Sequence, residues 1–250
     1  MLAKSYQKSN AIMIKSPYWN RFAAGEAILL ALVLSAGAVF ALWPNLDQIV
    51  AGFFFTGGRF VGQTDIGVLA RQAARVLPFF LFISLSLLYL GRRSGVIAPR
   101  FAPRGKSMLF LALSLALGPG LGVSVLKDYS HRPRPVHIQE FDGNDAFRPF
   151  YRFDGACRQN CSFPSGEAAA AFWTAAPASL APPPLRLAAM VAALIYAFAT
   201  GALRMAFGGH FLSDVIFGGL MTWSVILFVG RALPNISAVV EIVSAAHKRR

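Results

Sequence analysis

The chain has 250 residues and a formal net charge of +13, with 56% hydrophobic and only 14% charged residues. A soluble domain has roughly 45–50% apolar and about 25% charged residues. The apolar excess argues against a disordered chain and against a cytosolic enzyme with one soluble core, and it predicts a polytopic membrane protein. The basic residues lie in short connections without an aromatic platform, so we expect no nucleic-acid partner.

Six apolar runs are candidates for transmembrane helices, which need about 20 residues to cross a bilayer. The fourth run is short and contains Pro177, so its end is the least defined. We expect an all-α, polytopic helix bundle of six transmembrane helices over residues 23–230, between tails at 1–22 and 231–250. The runs are 23–43, 73–90, 108–126, 168–180, 187–203 and 211–230.

Lysine and arginine are distributed unevenly between the connections. In a six-span arrangement, fourteen of the 24 basic residues fall on the side that carries both tails. Short cytoplasmic connections are enriched in these residues, so both tails are predicted to be cytoplasmic and the 127–167 loop to face outward. Residues 36–38 fit a signal-cleavage pattern, but the apolar run continues past them, and we expect an uncleaved anchor.

Two cysteines, Cys157 and Cys161, lie in the predicted outward loop. We expect a disulfide between them if that side is oxidising, as in a periplasm. Two free thiols and a zinc site are the alternatives, and zinc would need about four nitrogen or sulfur ligands.

Three polar segments lie at the outward ends of the predicted spans. The first, Lys127–Pro135, is strongly basic, with groups that suit a phosphate dianion, although a snorkelling basic cluster is the simpler interpretation. The second begins the fourth run, where Ser165 is a good helix cap and free backbone N–H groups attract anions, although a plain cap explains it as well. In the third, His210 and Asp214 stand four residues apart, so a carboxylate can orient an imidazole nucleophile; a structural pair is the alternative.

Together the three segments resemble the signature of the PAP2 (type 2 phosphatidic acid phosphatase) superfamily in order and inner spacing. Glu167 stands where this family usually has histidine, and Leu203 stands where it usually has serine. The matching motifs are Lys127-x6-Arg134-Pro135, Pro164-Ser165-Gly166 and Arg204-x5-His210-x3-Asp214.

Further segments resemble the lipid A 4′-phosphatase branch of that superfamily, among them Pro44–Asp47, Gly118–Gly120 and Asn160–Phe163. This resemblance implies an inner-membrane enzyme that removes the 4′-phosphate of lipid A at the periplasmic face, with a membrane lipid as its partner. It implies no metal or other cofactor, and no obligate protein partner is evident. The alternatives are a phosphatase for lipid A 1-phosphate, phosphatidylglycerophosphate or a polyprenyl diphosphate, and a transporter or membrane scaffold.

The resemblance also implies roles for individual residues. His210 is expected to attack phosphorus and form a phosphohistidine, with Asp214 orienting it. Glu167 is expected to protonate the leaving group if burial raises its pKa, or else to bind substrate hydroxyls while His131 or water supplies the proton. The residues expected to hold the phosphoryl oxygens are Lys127, Arg134, Ser165, Gly166 and Arg204.

Residues 53–55, three consecutive phenylalanines, lie in the predicted outward connection between the first two runs. They are expected either to contact acyl chains or to form part of an ordinary interfacial aromatic belt.

Overall fold

The structure is a computed structural model that describes the backbone of residues 17–247 and the side chains of residues 25–233. Residues 1–16 and 248–250, which belong to the two predicted tails, lie outside the described residues.

The described chain folds into nine α-helices and one small hairpin. The helices are α1 (Pro17–Leu42), α2 (Leu46–Gly52), α3 (Asp65–Arg93), α4 (Gly105–Leu115), α5 (Val123–Ser130), α6 (Gly166–Trp173), α7 (Ala175–Ser179), α8 (Pro183–Ala206) and α9 (Leu212–His247). Strands β1 (Phe55–Thr56) and β2 (Arg59–Phe60) pair antiparallel. A π-helical segment (Ala116–Gly122) joins α4 to α5, and short 3-10 turns cover Pro99–Phe101, Pro135–His137 and Gln139–Phe141.

Five stretches within the described residues are long and apolar enough to cross a membrane, which confirms the predicted all-α membrane class. They are Gly25–Leu42, Asp65–Arg93, Pro99–His137, Pro183–Ala206 and Leu212–Leu233. The predicted count of six is not confirmed, because the fourth run forms two short helices, α6 and α7. Residues 166–179, which include both helices, rise about 21 Å at 1.5 Å per residue, less than the roughly 30 Å hydrocarbon core.

Helix α6 is enclosed by the other helices. Residues 168–173 are all buried, and α6 packs against α3, α8, α9 and the π segment. Its four consecutive alanines allow neighbouring helices to approach closely, which is how membrane helices pack. At its end, Trp173 Nε1 donates a hydrogen bond of 2.9 Å to Ser114 Oγ in α4, so the indole N–H is satisfied away from water.

The loop between α5 and α6 packs on the hairpin through aromatic side chains. The ring of Phe55 lies 5.1 Å from that of Phe60 and 5.3 Å from that of Phe141, centroid to centroid. Of the three consecutive phenylalanines, only Phe53 is largely exposed, at 78% of its surface. Phe54 and Phe55 are partly buried against this aromatic cluster, so only Phe53 presents most of its ring to the surroundings.

Helix α9 approaches the start of α6 at Gly218. A Cβ atom built at this position would lie 2.8 Å from the backbone oxygen of Ser165. A real side chain cannot be accommodated at that distance unless the two backbones separate.

We expect Gly218→Ala to destabilise the protein by about 1–3 kcal/mol through overpacking. Gly37→Ala in α1 is the matched control, since a Cβ there meets nothing within 4 Å and alanine is the better helix former. Thermal unfolding in detergent should give a lower Tm for Gly218→Ala alone, and equal Tm values for the two variants would contradict this account.

Candidate active site

His210 is buried, and one of its two ring nitrogens has a fixed partner. Its Nδ1 lies 2.7 Å from the backbone oxygen of Ser162. A carbonyl oxygen only accepts hydrogen bonds, so Nδ1 must carry the proton and Nε2 is left with its lone pair. Burial lowers the pKa of His210 to about 4, so the imidazole is neutral at pH 7 and able to act as a nucleophile.

Asp214 does not orient His210 in the expected way. The distance from its Oδ2 to Nδ1 of His210 is 3.7 Å, too long for a hydrogen bond. The prediction that the two residues share a helical face is wrong, because His210 precedes α9, which begins at Leu212. Asp214 is linked to the imidazole through Ser162, whose carbonyl accepts from His210 and whose hydroxyl donates to Asp214 Oδ2 at 2.5 Å.

The other oxygen of Asp214 belongs to a buried ionic network around Arg132. Arg132 Nη1 lies 2.5 Å from Asp214 Oδ1, and Nη2 lies 2.7 Å from Asp47 Oδ2. Asp47 in turn accepts hydrogen bonds from the backbone N–H and hydroxyl of Ser213. The side chains of Arg132, Asp47 and Asp214 are at most 1% exposed, so the network is closed to solvent.

Lys127 and Arg134 are held by one short piece of backbone. Lys127 Nζ donates to the carbonyl of Cys161 at 2.7 Å and to Oδ1 of Asn160 at 3.2 Å. Arg134 donates to the carbonyl of Asn160 from Nη2 at 2.8 Å and from Nε at 3.2 Å. Neutral oxygens position both cations without cancelling their charge.

Arg204 is 2% exposed and lies at the end of α8. Its Nε and Nη1 atoms are buried and have no hydrogen-bond partner among the residues that the structure describes. Nε lies 3.4 Å from Glu167 Oε2, which is an ion-pair contact but not a hydrogen bond. A buried guanidinium with unused donors is well suited to donate hydrogen bonds to phosphoryl oxygens.

Glu167 is paired with arginine rather than being a protonated acid. Arg71 Nη2 lies 2.8 Å from its Oε1, and Arg71 Nε approaches both carboxylate oxygens. Burial raises the pKa of Glu167, but the hydrogen bond from Arg71 and the charge of Arg204 outweigh burial and lower that pKa below its usual value. The condition for Glu167 to act as a general acid, a raised pKa, is therefore not met.

Ser165 caps α6 as expected, since its Oγ accepts from the backbone N–H of Ala168 at 3.4 Å. It is fully buried and is not among the described residues that line the cavity, whereas Gly166 at the helix start does line it. At this helix end it is therefore the backbone near Gly166, rather than the Ser165 hydroxyl, that faces the cavity, and free backbone N–H groups at a helix start suit an anion.

His210 and most of the predicted phosphate-binding residues line one cavity of about 530 Å³. Five of its described lining residues are cationic and one is a carboxylate; they are Arg71, Arg75, Lys127, Arg134, Arg204 and Glu167. His131 does not line it, because its Nδ1 is hydrogen-bonded to the carbonyl of Cys157. The expectation that His131 supplies a proton to the leaving group therefore lacks geometric support.

Arg71, Arg75 and Asn160 are the polar cavity residues to which the motif analysis assigned no role. Arg71 and Arg75 are four residues apart in α3 and thus on one helix face. Two arginines at a helix end that the sequence predicts to face outward depart from the usual charge bias, and this signal was available in the sequence. Asn160 gave no such signal, because its role depends on the path of the loop.

Cys157 and Cys161 are bonded to each other in the structure, with their Cα atoms 5.6 Å apart. Neither sulfur is therefore a free thiol or a metal ligand.

A neutral imidazole nucleophile in a strongly cationic cavity is suited to phosphoryl transfer, in which negative charge is spread over the phosphoryl oxygens. The sequence profile of the PAP2 superfamily matches residues 107–237, and the chain belongs to that superfamily. The prediction of an integral-membrane phosphomonoester hydrolase is thereby confirmed.

Three curated relatives are named lipid A 4′-phosphatase. The protein of Francisella tularensis subsp. novicida is 37% identical over 205 residues, which cover 78% of this chain and 90% of the relative. That of Rhizobium leguminosarum is 32% identical over 73% of this chain and 85% of the relative. That of Rhizobium etli is 40% identical over 73% and 77%, respectively. No solved structure matches the chain.

We expect Arg132→Met to destabilise the protein by about 3–5 kcal/mol, because it leaves two buried carboxylates without a counter-charge. The control is Arg152→Met, which breaks the exposed pair of Arg152 with Asp154 and should leave Tm unchanged. Thermal unfolding in detergent compares the two. Similar Tm values would mean that the network around Arg132 does not hold the fold.

Proposed function

We propose that the chain removes the 4′-phosphate of lipid A through a phosphohistidine at His210. One observation carries the reaction type: His210 is neutral, keeps Nε2 free and lines a cavity whose walls carry five cationic groups. The names of the three relatives support the substrate.

The first half of the reaction forms a bond between Nε2 and phosphorus and breaks the bond from phosphorus to the sugar oxygen. The imidazole becomes cationic, and Ser162 keeps the Nδ1 proton in place. Lys127, Arg134 and Arg204 stabilise the phosphoryl oxygens, together with the N–H groups at the start of α6. Water then attacks phosphorus, and inorganic phosphate and neutral His210 are released.

Glu167 serves in this proposal as a positioning residue for Arg71 and Arg204. An ionised carboxylate cannot donate a proton, so the departing sugar oxygen takes its proton from water. The hydroxide left behind neutralises the proton that is released when a second water attacks the phosphohistidine. The contacts of Glu167 with both arginines support this assignment.

The shape of the site fits a lipid with a large polar head. One wall of the cavity is apolar and includes Phe79, Leu115 and Pro119, which suits the lipid part of the substrate. A second cavity of about 350 Å³ shares Arg71, Arg134, Asn160 and Arg204 with the first. It adds His137, Gln159 and Phe207, and such polar and aromatic groups suit a sugar ring.

We also propose that the enzyme lies in the bacterial inner membrane with its tails in the cytoplasm and its site on the periplasmic side. The distribution of lysine and arginine supports this orientation. The disulfide near the site supports it independently, because disulfides persist in oxidising compartments. In this proposal residues 23–230 form the catalytic domain and residues 1–22 and 231–250 form the tails.

Expression of the chain in a heterologous Gram-negative host tests the substrate. Lipid A should lose its 4′-phosphate, as assigned by fragmentation in mass spectrometry. His210→Ala should lower turnover by at least about 10³-fold, because the nucleophile is lost. Loss of the 1-phosphate instead, or of phosphate from another anionic lipid alone, would overturn the proposed substrate and leave the reaction type intact.

Glu167→Gln separates a positioning role from acid catalysis. We expect kcat to fall by less than about tenfold, and equally for the natural lipid and for an aryl phosphate with a good leaving group, because no proton transfer is lost. Loss of general acid catalysis would lower kcat by about 10²–10⁴ for the lipid and spare the aryl phosphate. A loss confined to the lipid substrate would therefore refute the positioning role.

A further inference from the structure

Three successive residues of the outer loop contact three different groups of the active site. The carbonyl of Asn160 accepts from Arg134, that of Cys161 from Lys127, and that of Ser162 from His210. The proposed nucleophile and two of the proposed phosphate-binding cations are thus oriented by neighbouring peptide groups.

The segment 157–162 lies outside the helices and strands of the structure, so regular hydrogen bonding does not fix these carbonyls. Other constraints hold this segment in place. Cys161 is buried and is joined by the disulfide to the less buried Cys157. Asn160 has a φ of 48°, a left-handed conformation that asparagine tolerates better than most residues. Ser162 is tied by its N–H to the carbonyl of Arg132 at 2.9 Å and by its hydroxyl to Asp214.

We infer that residues 157–162, which we name the disulfide loop, are a positioning element for catalysis, and that the enzyme is fully active only while Cys157 and Cys161 are bonded. Reduction by a dithiol breaks the S–S bond and transfers two electrons and two protons, which gives two thiols. The chain between the cysteines then gains freedom, and the carbonyls of Asn160 and Cys161 no longer direct Arg134 and Lys127. This inference does not depend on which lipid is the substrate.

The chain offers a clean test, because its sequence contains only these two cysteines. Purified enzyme in detergent is treated with dithiothreitol, and alkylation followed by mass spectrometry verifies that both thiols are free. The Kd of inorganic phosphate, which probes the cation cluster without turnover, should rise about tenfold as the pre-organisation of charged donors is lost. kcat/KM for an aryl phosphate should fall at least as much.

Variants separate positioning from stability. Cys157→Ser should show the raised phosphate Kd without treatment and should not respond to dithiothreitol. Asn160→Gly removes Oδ1, which contacts Lys127, but allows the left-handed backbone, so Kd should rise with little change in Tm. Arg158→Gln, an exposed change within the loop, is the matched control and should retain both the wild-type Kd and the response to reductant.

One outcome would overturn the inference. If wild-type enzyme with both thiols verified as free keeps its phosphate Kd and its kcat/KM at a temperature where it is folded, the disulfide has no positioning role. A lower Tm alone would then assign it to stability. Should Cys157→Ser fail to fold, the reduced wild-type enzyme still decides the question.

Discussion

The arrangement of the segments around the cavity depends on the buried guanidinium of Arg132. It joins Asp47 in α2 to Asp214 in α9, and its Nε donates to the carbonyl of Arg148, in the loop between α5 and α6, at 2.8 Å. The ring of Phe211 lies 4.4 Å from its central carbon. A buried ion pair adds little net stability over a well-packed apolar cluster, but loss of one partner is costly. Here the contacts of Arg132 hold together three parts of the chain that are distant in sequence, namely α2, the start of α9 and the loop at Arg148.

This network also determines which charges remain available for a substrate. Arg132 contacts both buried carboxylates. The hydrogen bonds and ion pairs of the Asp214 carboxylate with described residues go to Arg132, Ser162, Phe211 and His210 rather than to the cations of the cavity. Lys127 and Arg134 are held by neutral oxygens, and Arg204 keeps unused donors among its described surroundings. Glu167 offsets part of the charge that Arg71 and Arg204 contribute. The cavity therefore keeps the positive potential that a phosphate dianion requires.

Sequence motifs identified six of the residues that line the cavity, Glu167 among them, because local spacing reports them directly. Lys127, Arg134, Gly166, Arg204 and His210 all lie around it. The predictions that failed, and the contacts that were not predicted, concern residues whose surroundings come from distant segments of the chain. The pKa direction of Glu167 is set by Arg71, 96 positions away, and Asp47 lies 85 positions from Arg132.

The fold shows the same division between local and distant information. Hydropathy identified all five described stretches that are long and apolar enough to cross a membrane, since a long apolar run is a local property. It overestimated the fourth, because a short alanine-rich helix enclosed by other helices has the composition of a membrane span. Asp214 illustrates a third limit: the four-residue rule applies only inside a helix, and His210 lies outside α9.

The π segment between α4 and α5 connects the packed core with the cavity. Pro119 has no N–H to donate and its ring obstructs a regular α-turn, and the wider π-turn accommodates it. A π-turn holds more residues than the 3.6 of an α-turn, so seven such residues change the direction in which later side chains point. Before the segment, Leu111 and Ser114 face the core around Trp173. After it, Lys127 faces the cavity, whose wall includes Pro119 itself. One interrupted helix thus supplies both a core surface and a cation that lines the cavity, which an uninterrupted α-helix would direct differently.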